Sequence, residues 1–352
     1  MIARYLLCLS LWTLGLGKAH ANDIDIAQQL QPAQAKLIVE EFAQSLEQNY
    51  VFTDTAKKIA KQLRALTFDH VQSRQGLSKK VTNIVNQYDK HLALVTRVDN
   101  EGRHSEESRE PWFTELKRKN SGVRQVEVLA GNIGYLEMWG FDSVSSQAKE
   151  LIDASMTLLE RTDAIILDLS QNGGGDGYMI PHFASYFLSK PTLLHSYQFR
   201  NGGRFPFHSG QPLGASQLRE LPLYILIGPE TFSAGEAFAY VMKHLGRATV
   251  LGEPSKGGAN PIRQFRLSHD YIAFVAIGTS INPITHENWE GKGVMPDINT
   301  KVEFAKSQAY LMALQQLAGK TSNPYLIKER TEAMRQLSTQ LAVSNANANS
   351  NN

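Results

Sequence analysis

The sequence predicts an α/β fold. Three observations carry that prediction: helically spaced apolar residues near the start, alternating strand-like and helical runs from Gly131 onward, and glycine-rich loops directly after strand-like runs. In residues 32–49, Ala33, Leu37, Ile38, Phe42 and Leu46 fall at helical spacing. After a break at Tyr50-Val51-Phe52, Ala56, Ile59, Ala60, Leu63 and Leu66 resume it. A third helical run extends from Leu77 to Tyr88, so residues 22–95 read as a small helical domain. Residues 96–123 are charged and poor in apolar periodicity, as suits a connecting segment crossing the surface.

The remainder, residues 124–320, reads as the α/β core. A strand over Ile133–Met138 precedes a helix over Ser145–Arg161 and a buried strand over Ala164–Leu169. A second cycle has a helix over Met179–Leu188, strands at Leu193–Phe199 and Leu223–Gly228, a helix over residues 233–245, and a strand at Ala248–Leu251. Arg263–Leu267 and Tyr271–Ile277, separated by Ser268-His269-Asp270, predict a hairpin added to that core. Residues 321–343 read as a C-terminal helix. Residues 344–352 hold only Ser, Asn and Ala and predict a disordered tail.

The first residues have the form of a secretory signal: Arg4, an apolar run from Tyr5 to Leu16, and Ala19-His20-Ala21 as a small-x-small cleavage site. Residues 1–21 are therefore expected to be a signal peptide that sends the protein to the periplasm or the exterior. No later run is long and apolar enough for stable membrane insertion. Cys8, the single cysteine, lies inside that leader, which leaves no thiol nucleophile, disulfide or cysteine metal site in the remaining chain. Lys+Arg number 36 against 34 Asp+Glu, so bulk charge gives no pull toward nucleic acid. The histidines show no HExxH-type spacing, and neither a metal nor another cofactor is expected.

Two loops carry candidate chemistry. Thr231-Phe232-Ser233-Ala234-Gly235-Glu236 opens a helix after a strand, where backbone amides point outward and the helix dipole favours a developing anion. Read alone, Ser233 is an N-cap with Glu236 completing a capping box. Asn172-Gly173-Gly174-Gly175 also follows a strand, and read alone it is a tight turn. Together they supply a hydroxyl nucleophile and an oxyanion hole, with Gly173 or Gly174 and Ala234 as donors.

With Asp89-Lys90-His91-Leu92, Gly131–Leu136, Asp168–Gly175, Gly252–Pro261 and Asn288–Ile298, the chain from about residue 30 to 300 resembles peptidase family S41. This is the family of tail-specific and C-terminal processing proteases, and the likeness is to its interphotoreceptor-retinoid-binding-protein-like and tricorn-like branch. The resemblance implies a crotonase- or ClpP-like core with an N-terminal helical domain and no PDZ domain. It also implies a serine-type peptidase acting on peptide or unfolded protein segments, with Ser233 as nucleophile, His91 as base and Glu290 orienting the base. In the processing branch a lysine serves as base, but Gly258 stands at that position, with Lys256 two residues away. Imidazole suits the role because its ordinary pKa lies near neutrality. Two departures from the family pattern are Lys90, where a serine would precede the histidine, and Ser170, where many relatives carry arginine. Lys90 and Lys256 are thus candidate modulators. A binding protein for an apolar ligand, or acyl transfer on a small molecule, is the competing reading; oligomeric state is not legible.

Overall fold

The computed structural model describes residues 29–97 and 110–350. The expected signal peptide, its Cys8 and most of the first half of the connecting segment lie outside the described residues. The first unit begins with β1 (Gln29–Leu30), α1 (Pro32–Asn49) and α2 (Thr53–Arg64). It continues with β2 (Gln72–Ser73), α3 (Arg74–Val85) and β3 (Ala93–Thr96). Pro32 sits at the start of α1, where its missing N–H costs nothing, and the Ser73 hydroxyl caps α3 by accepting from Gly76 N–H. Ile38, Phe42 and Leu46 of α1, Ile59 and Leu63 of α2, and Leu77 and Val81 of α3 close one core from which water is fully excluded. Leu37, counted into the α1 stripe, instead points outward, 46% exposed.

The second unit opens with α4 (Trp112–Arg118), β4 (Val123–Leu129), β5 (Ile133–Met138), α5 (Ser146–Leu159) and β6 (Ala164–Asp168). Then come α6 (Ile180–Ala184), β7 (Leu193–Phe199), β8 (Arg204–His208), β9 (Leu223–Ile227), α7 (Ala234–His244) and β10 (Thr249–Gly252). It ends with β11 (Ile262–Leu267), β12 (Tyr271–Ala276), β13 (Gly278–Ile281), β14 (Ile298–Asn299), α8 (Val302–Gln316) and α9 (Pro324–Ser350). A six-stranded sheet in the order β14-β10-β9-β6-β5-β4 is parallel except for β4, which runs antiparallel to β5. Strands buried on both faces need unbroken apolar runs, and β6 and β9 supply them. Ile165 and Leu167 of β6 face α5 and α7, while Ala164 and Ile166 face α8 and α9, as the two-residue strand period requires.

Three expectations change. The hairpin β11–β12 is not an appendage of the α/β core: β12 pairs with β3, and Tyr271, Ala273 and Val275 pack among the N-terminal helices. The alternating apolar face of β12 needs a cover, and the helical stripe provides one. The first unit is therefore helices on a small sheet assembled from two distant segments. The helix expected over 179–188 is only Ile180–Ala184, entered through a single 3-10 turn at Gly177–Met179. At the end, α9 continues to Ser350 rather than stopping at 343 before a disordered tail. Extending an existing helix needs only one hydrogen bond per added residue, and alanine favours it.

Candidate active site

The nucleophile turn is held from both sides. After β9, Gly228 and Thr231 exchange hydrogen bonds, N–H to Oγ1 at 2.9 Å and N–H to O at 2.9 Å. The Thr231 hydroxyl also donates to Leu169 O at 2.8 Å, and Phe232 N–H donates to Asn172 O at 2.8 Å, fastening this turn to the glycine loop beyond β6. Ser233 is driven into φ 51°, ψ −112°, a conformation that L-residues rarely adopt, and α7 starts at the next residue. A serine on such a tight strand-to-helix turn projects its side chain from the end of the element.

Glu236 anchors the turn from within. Its carboxylate is fully hidden from solvent and accepts four hydrogen bonds. Oε2 takes Ser233 N–H at 2.7 Å and Gly258 N–H at 2.9 Å; Oε1 takes Ser255 Oγ and Gly257 N–H, both at 2.6 Å. Burial pushes this carboxyl upward, and the donors oppose that push. The residue that the sequence offered as half of a capping box thus joins the nucleophile turn to the loop at 255–258.

The expected oxyanion donors need correction. Gly173 N–H donates to Trp139 O at 3.0 Å, and Gly174 N–H donates to Asn172 Oδ1 at 3.0 Å, so neither is free. The loop uses its own amides to stabilise its tight turn, which its sequence does not reveal. Gly174 has a different role: at φ +92°, a Cβ there would lie 2.8 Å from Ser233 Cβ. It is the close approach of the two loops that requires glycine. Ala234 N–H, at the positive end of α7, has no acceptor among the described residues, and the same holds for Gly175 N–H.

On the opposite wall, His91 sits in the turn just before β3. Its ring lies 4.6 Å from that of Phe232 and lines, with Ser233, Ala234 and Gly175, one cleft of about 650 Å³. No hydrogen bond joins Ser233 Oγ to the imidazole among the described residues. Catalytic hydrogen bonds are commonly long without substrate. A ring nitrogen of His91 and carboxylate oxygens of Asp89 and Glu290 all lie within 4.8 Å of one another. Nδ1 is buried without a partner, and burial pushes the imidazole down to about 4, partly opposed by Asp89. Glu290 accepts N–H groups of Ala259 at 2.6 Å, Lys90 at 3.0 Å and Asn260 at 3.3 Å. Burial first, then Asp89, pushes it up to about 7. Burial thus keeps the resting imidazole neutral and lowers its proton affinity, which Asp89 partly restores.

Lys90 meets Glu290 through its backbone N–H, and its side chain is exposed with no ion pair to Glu290 among the described residues. Lys256 is exposed too, its amine 5.3 Å from the Phe232 ring centre, and it does not line the cleft. Ser170 is buried behind the glycine loop, its N–H donating to Asp168 Oδ1 at 2.9 Å. Gly258 is the informative position. A Cβ there would lie 2.3 Å from Phe232 Cε2 and 2.8 Å from His91 Cε1, so Phe232 and the imidazole fill the space of a side chain at 258. Asp89 and Asn260 also belong to this wall. Sequence reasoning quoted both within motifs without giving either a role, because their side-chain hydrogen bond spans 171 positions.

The chain is similar to known proteins in sequence and in fold. Residues 132–300 match the model of peptidase family S41. The carboxyl-terminal-processing protease of a Picosynechococcus species is 30% identical over 191 residues, which is 53% of this chain and 41% of that protein. The chain thus spans less than half the length of this curated relative. A crystal structure of a candidate peptidase from Parabacteroides merdae superposes with a TM-score of 0.55 at 17% identity, covering 86% of this chain and 96% of that one. The photosystem II D1 C-terminal processing protease gives 0.52 at 15% identity, covering 83% and 99%. At these identities the two structures speak for the shared fold alone. Sequence match and fold together lead to one statement: the chain is similar to peptidase family S41 over residues 132–300 and shares its fold with these two solved structures.

Proposed function

We propose that this protein is a serine-type endopeptidase in which Ser233 is the nucleophile and His91 the base. The observation that carries the reading is Gly258: where a lysine base would have to begin, the space is occupied by the Phe232 ring and the His91 imidazole, both lining the cleft that Ser233 enters. His91 takes the Ser233 hydroxyl proton while Oγ bonds to the substrate carbonyl carbon. Ala234 N–H, with Gly175 N–H as the donor that replaces Gly173 and Gly174, faces the oxyanion. His91 then returns the proton to the departing amine as the C–N bond breaks, and a water molecule cleaves the acyl-serine by the same route. Imidazolium formed in the first step lies beside Asp89, whose charge favours it, while Glu290 holds backbone N–H groups rather than the ring.

Peptide or unfolded protein segments are the proposed substrates, and the leader-like residues 1–21 point to action in the periplasm or outside the cell. A fluorophosphonate probe and an unfolded protein such as casein test the chemistry. Labelling and cleavage are expected in the native protein and neither in Ser233→Ala, with His91→Ala strongly slowed. Equal cleavage by Ser233→Ala would refute the assignment. One observation favours a second reading, a carrier of an apolar ligand: Tyr197, Ile262, Phe274 and Trp289 give the cleft a largely apolar lining. A native protein that binds an apolar fluorophore in this cleft but never labels would establish the carrier.

A further inference from the structure

Asp89 is 1% exposed, and its carboxylate is bound from three directions. Oδ1 accepts His91 N–H at 2.9 Å, while Oδ2 accepts Asn260 Nδ2 at 2.8 Å and Tyr50 OH at 3.3 Å. Tyr50 ends α1, His91 precedes β3, and Asn260 precedes β11, so one buried carboxylate joins the helical unit to the glycine loop that walls the cleft. Asn260 bridges two acids, its side chain donating to Asp89 and its backbone N–H to Glu290. Among the described residues neither acid has an ion-pair partner. The Asp89 charge, this close and with no cation between the two, opposes ionisation of the half-buried Glu290.

We propose that Asp89 is a positioning residue of the site: it fixes the turn carrying His91 against the Asn260 loop, and it sets its charge beside both Glu290 and the imidazole. The proposal rests on the Ser233–His91 reading and deepens it. The other titratable groups around the cluster are few. Tyr50 has its phenol pushed up by burial and by both acids, so it stays neutral. Lys90 is exposed, Lys256 lies across the Phe232 ring, and Glu236 sits on the far side of Gly258. Asp89 raises the proton affinity of both His91 and Glu290, so removing its charge lowers both.

Asp89→Asn in the full chain tests this, with hydrolysis of a quenched peptide followed from pH 4 to 9 and the His91 ring followed by NMR. The expected result is a fall in kcat of about tenfold or more with KM nearly unchanged, as for a group that positions a base. The acid limb of the profile and the ring midpoint should both move to lower pH. A folded variant that loses activity while limb and midpoint stay put would overturn the proposal and leave Asp89 a purely structural residue. Carboxyl NMR on the native protein gives a second route that does not depend on the variant folding. Glu290 should titrate well above the ordinary carboxylate range, and an ordinary Glu290 titration would overturn the proposal. If the native protein hydrolyses no peptide, the peptidase reading fails on its own, and the two NMR titrations decide the role of Asp89.

Discussion

Glu236→Gln isolates the joint between the nucleophile turn and the loop behind the base. Oε2 accepts two backbone N–H groups, and Oε1 accepts one N–H and the Ser255 hydroxyl, so an amide NH₂ confronts two donors in the first position and, because the hydroxyl can turn to accept, one in the second. Leaving a buried donor unpaired costs about 1–3 kcal/mol, so the substitution costs roughly 1–6 kcal/mol according to which way the amide faces. At the upper end that is a large part of a typical domain's stability of about 5–15 kcal/mol. If the amide faces Ser233 and Gly258, the nucleophile moves away from its strained position. A displacement on the order of 1 Å at a reacting atom costs about 100-fold in rate. Thermal melting and fluorophosphonate labelling rate, measured on the same preparation, read the two effects. Ser255→Ala is the graded control, because it leaves the charge in place while removing one donor to it and the acceptor of Val294 N–H; a loss of about 1–3 kcal/mol is expected. The reasoning is refuted if Glu236→Gln melts and labels like the native protein.

Other predictions are more compact. Ser233→Gly should abolish hydrolysis yet stabilise the fold by about 1 kcal/mol, since glycine relieves backbone strain of about 1–3 kcal/mol at this φ and ψ; an unchanged or lower denaturation midpoint would contradict it. Gly258→Ala should cut the rate by about 100-fold or more by displacing the imidazole, and Gly258→Lys should not restore it; recovery with lysine would instead favour the lysine-base layout. His195, buried at 1% exposure, stacks 4.6 Å from Phe207 with neither ring nitrogen partnered, and burial pushes it down to about 4. The unfolded chain takes up that proton from about pH 6.5 downward and the folded chain resists, so stability is lost as pH falls through the window to about 4. His195→Phe should remove up to roughly 3 kcal/mol of that loss between pH 7 and 4. Parallel stability curves for the two proteins would show that His195 is not its source.

Local pattern made much of this molecule legible. The apolar runs of β6 and β9 and the helical stripe of Ile38, Phe42 and Leu46 read correctly because burial imposes a period on sequence. What escaped was set by partners far along the chain. Gly173 and Gly174 looked like free donors, and only the positions of Trp139 O and Asn172 Oδ1 show where their amides go. Glu236 was legible as a capping residue, but its bonds to Gly257 and Gly258 require the whole β10 crossover to be in place. The hairpin was found with nearly its true bounds, yet a strand pattern does not name its neighbour, so β12 was assigned to the wrong body.

That misplaced hairpin has a practical meaning. Because residues 262–276 leave the core, complete the N-terminal body and return, neither half of the polypeptide contains a whole interior. A truncation that begins at the matched segment would strand Tyr271, Ala273 and Val275 without their cover and leave a sticky ribbon, so recombinant fragments should aggregate where the intact chain does not. Both bodies must mature together, and the cleft between them is born only when the last strand of the first has been translated as part of the second.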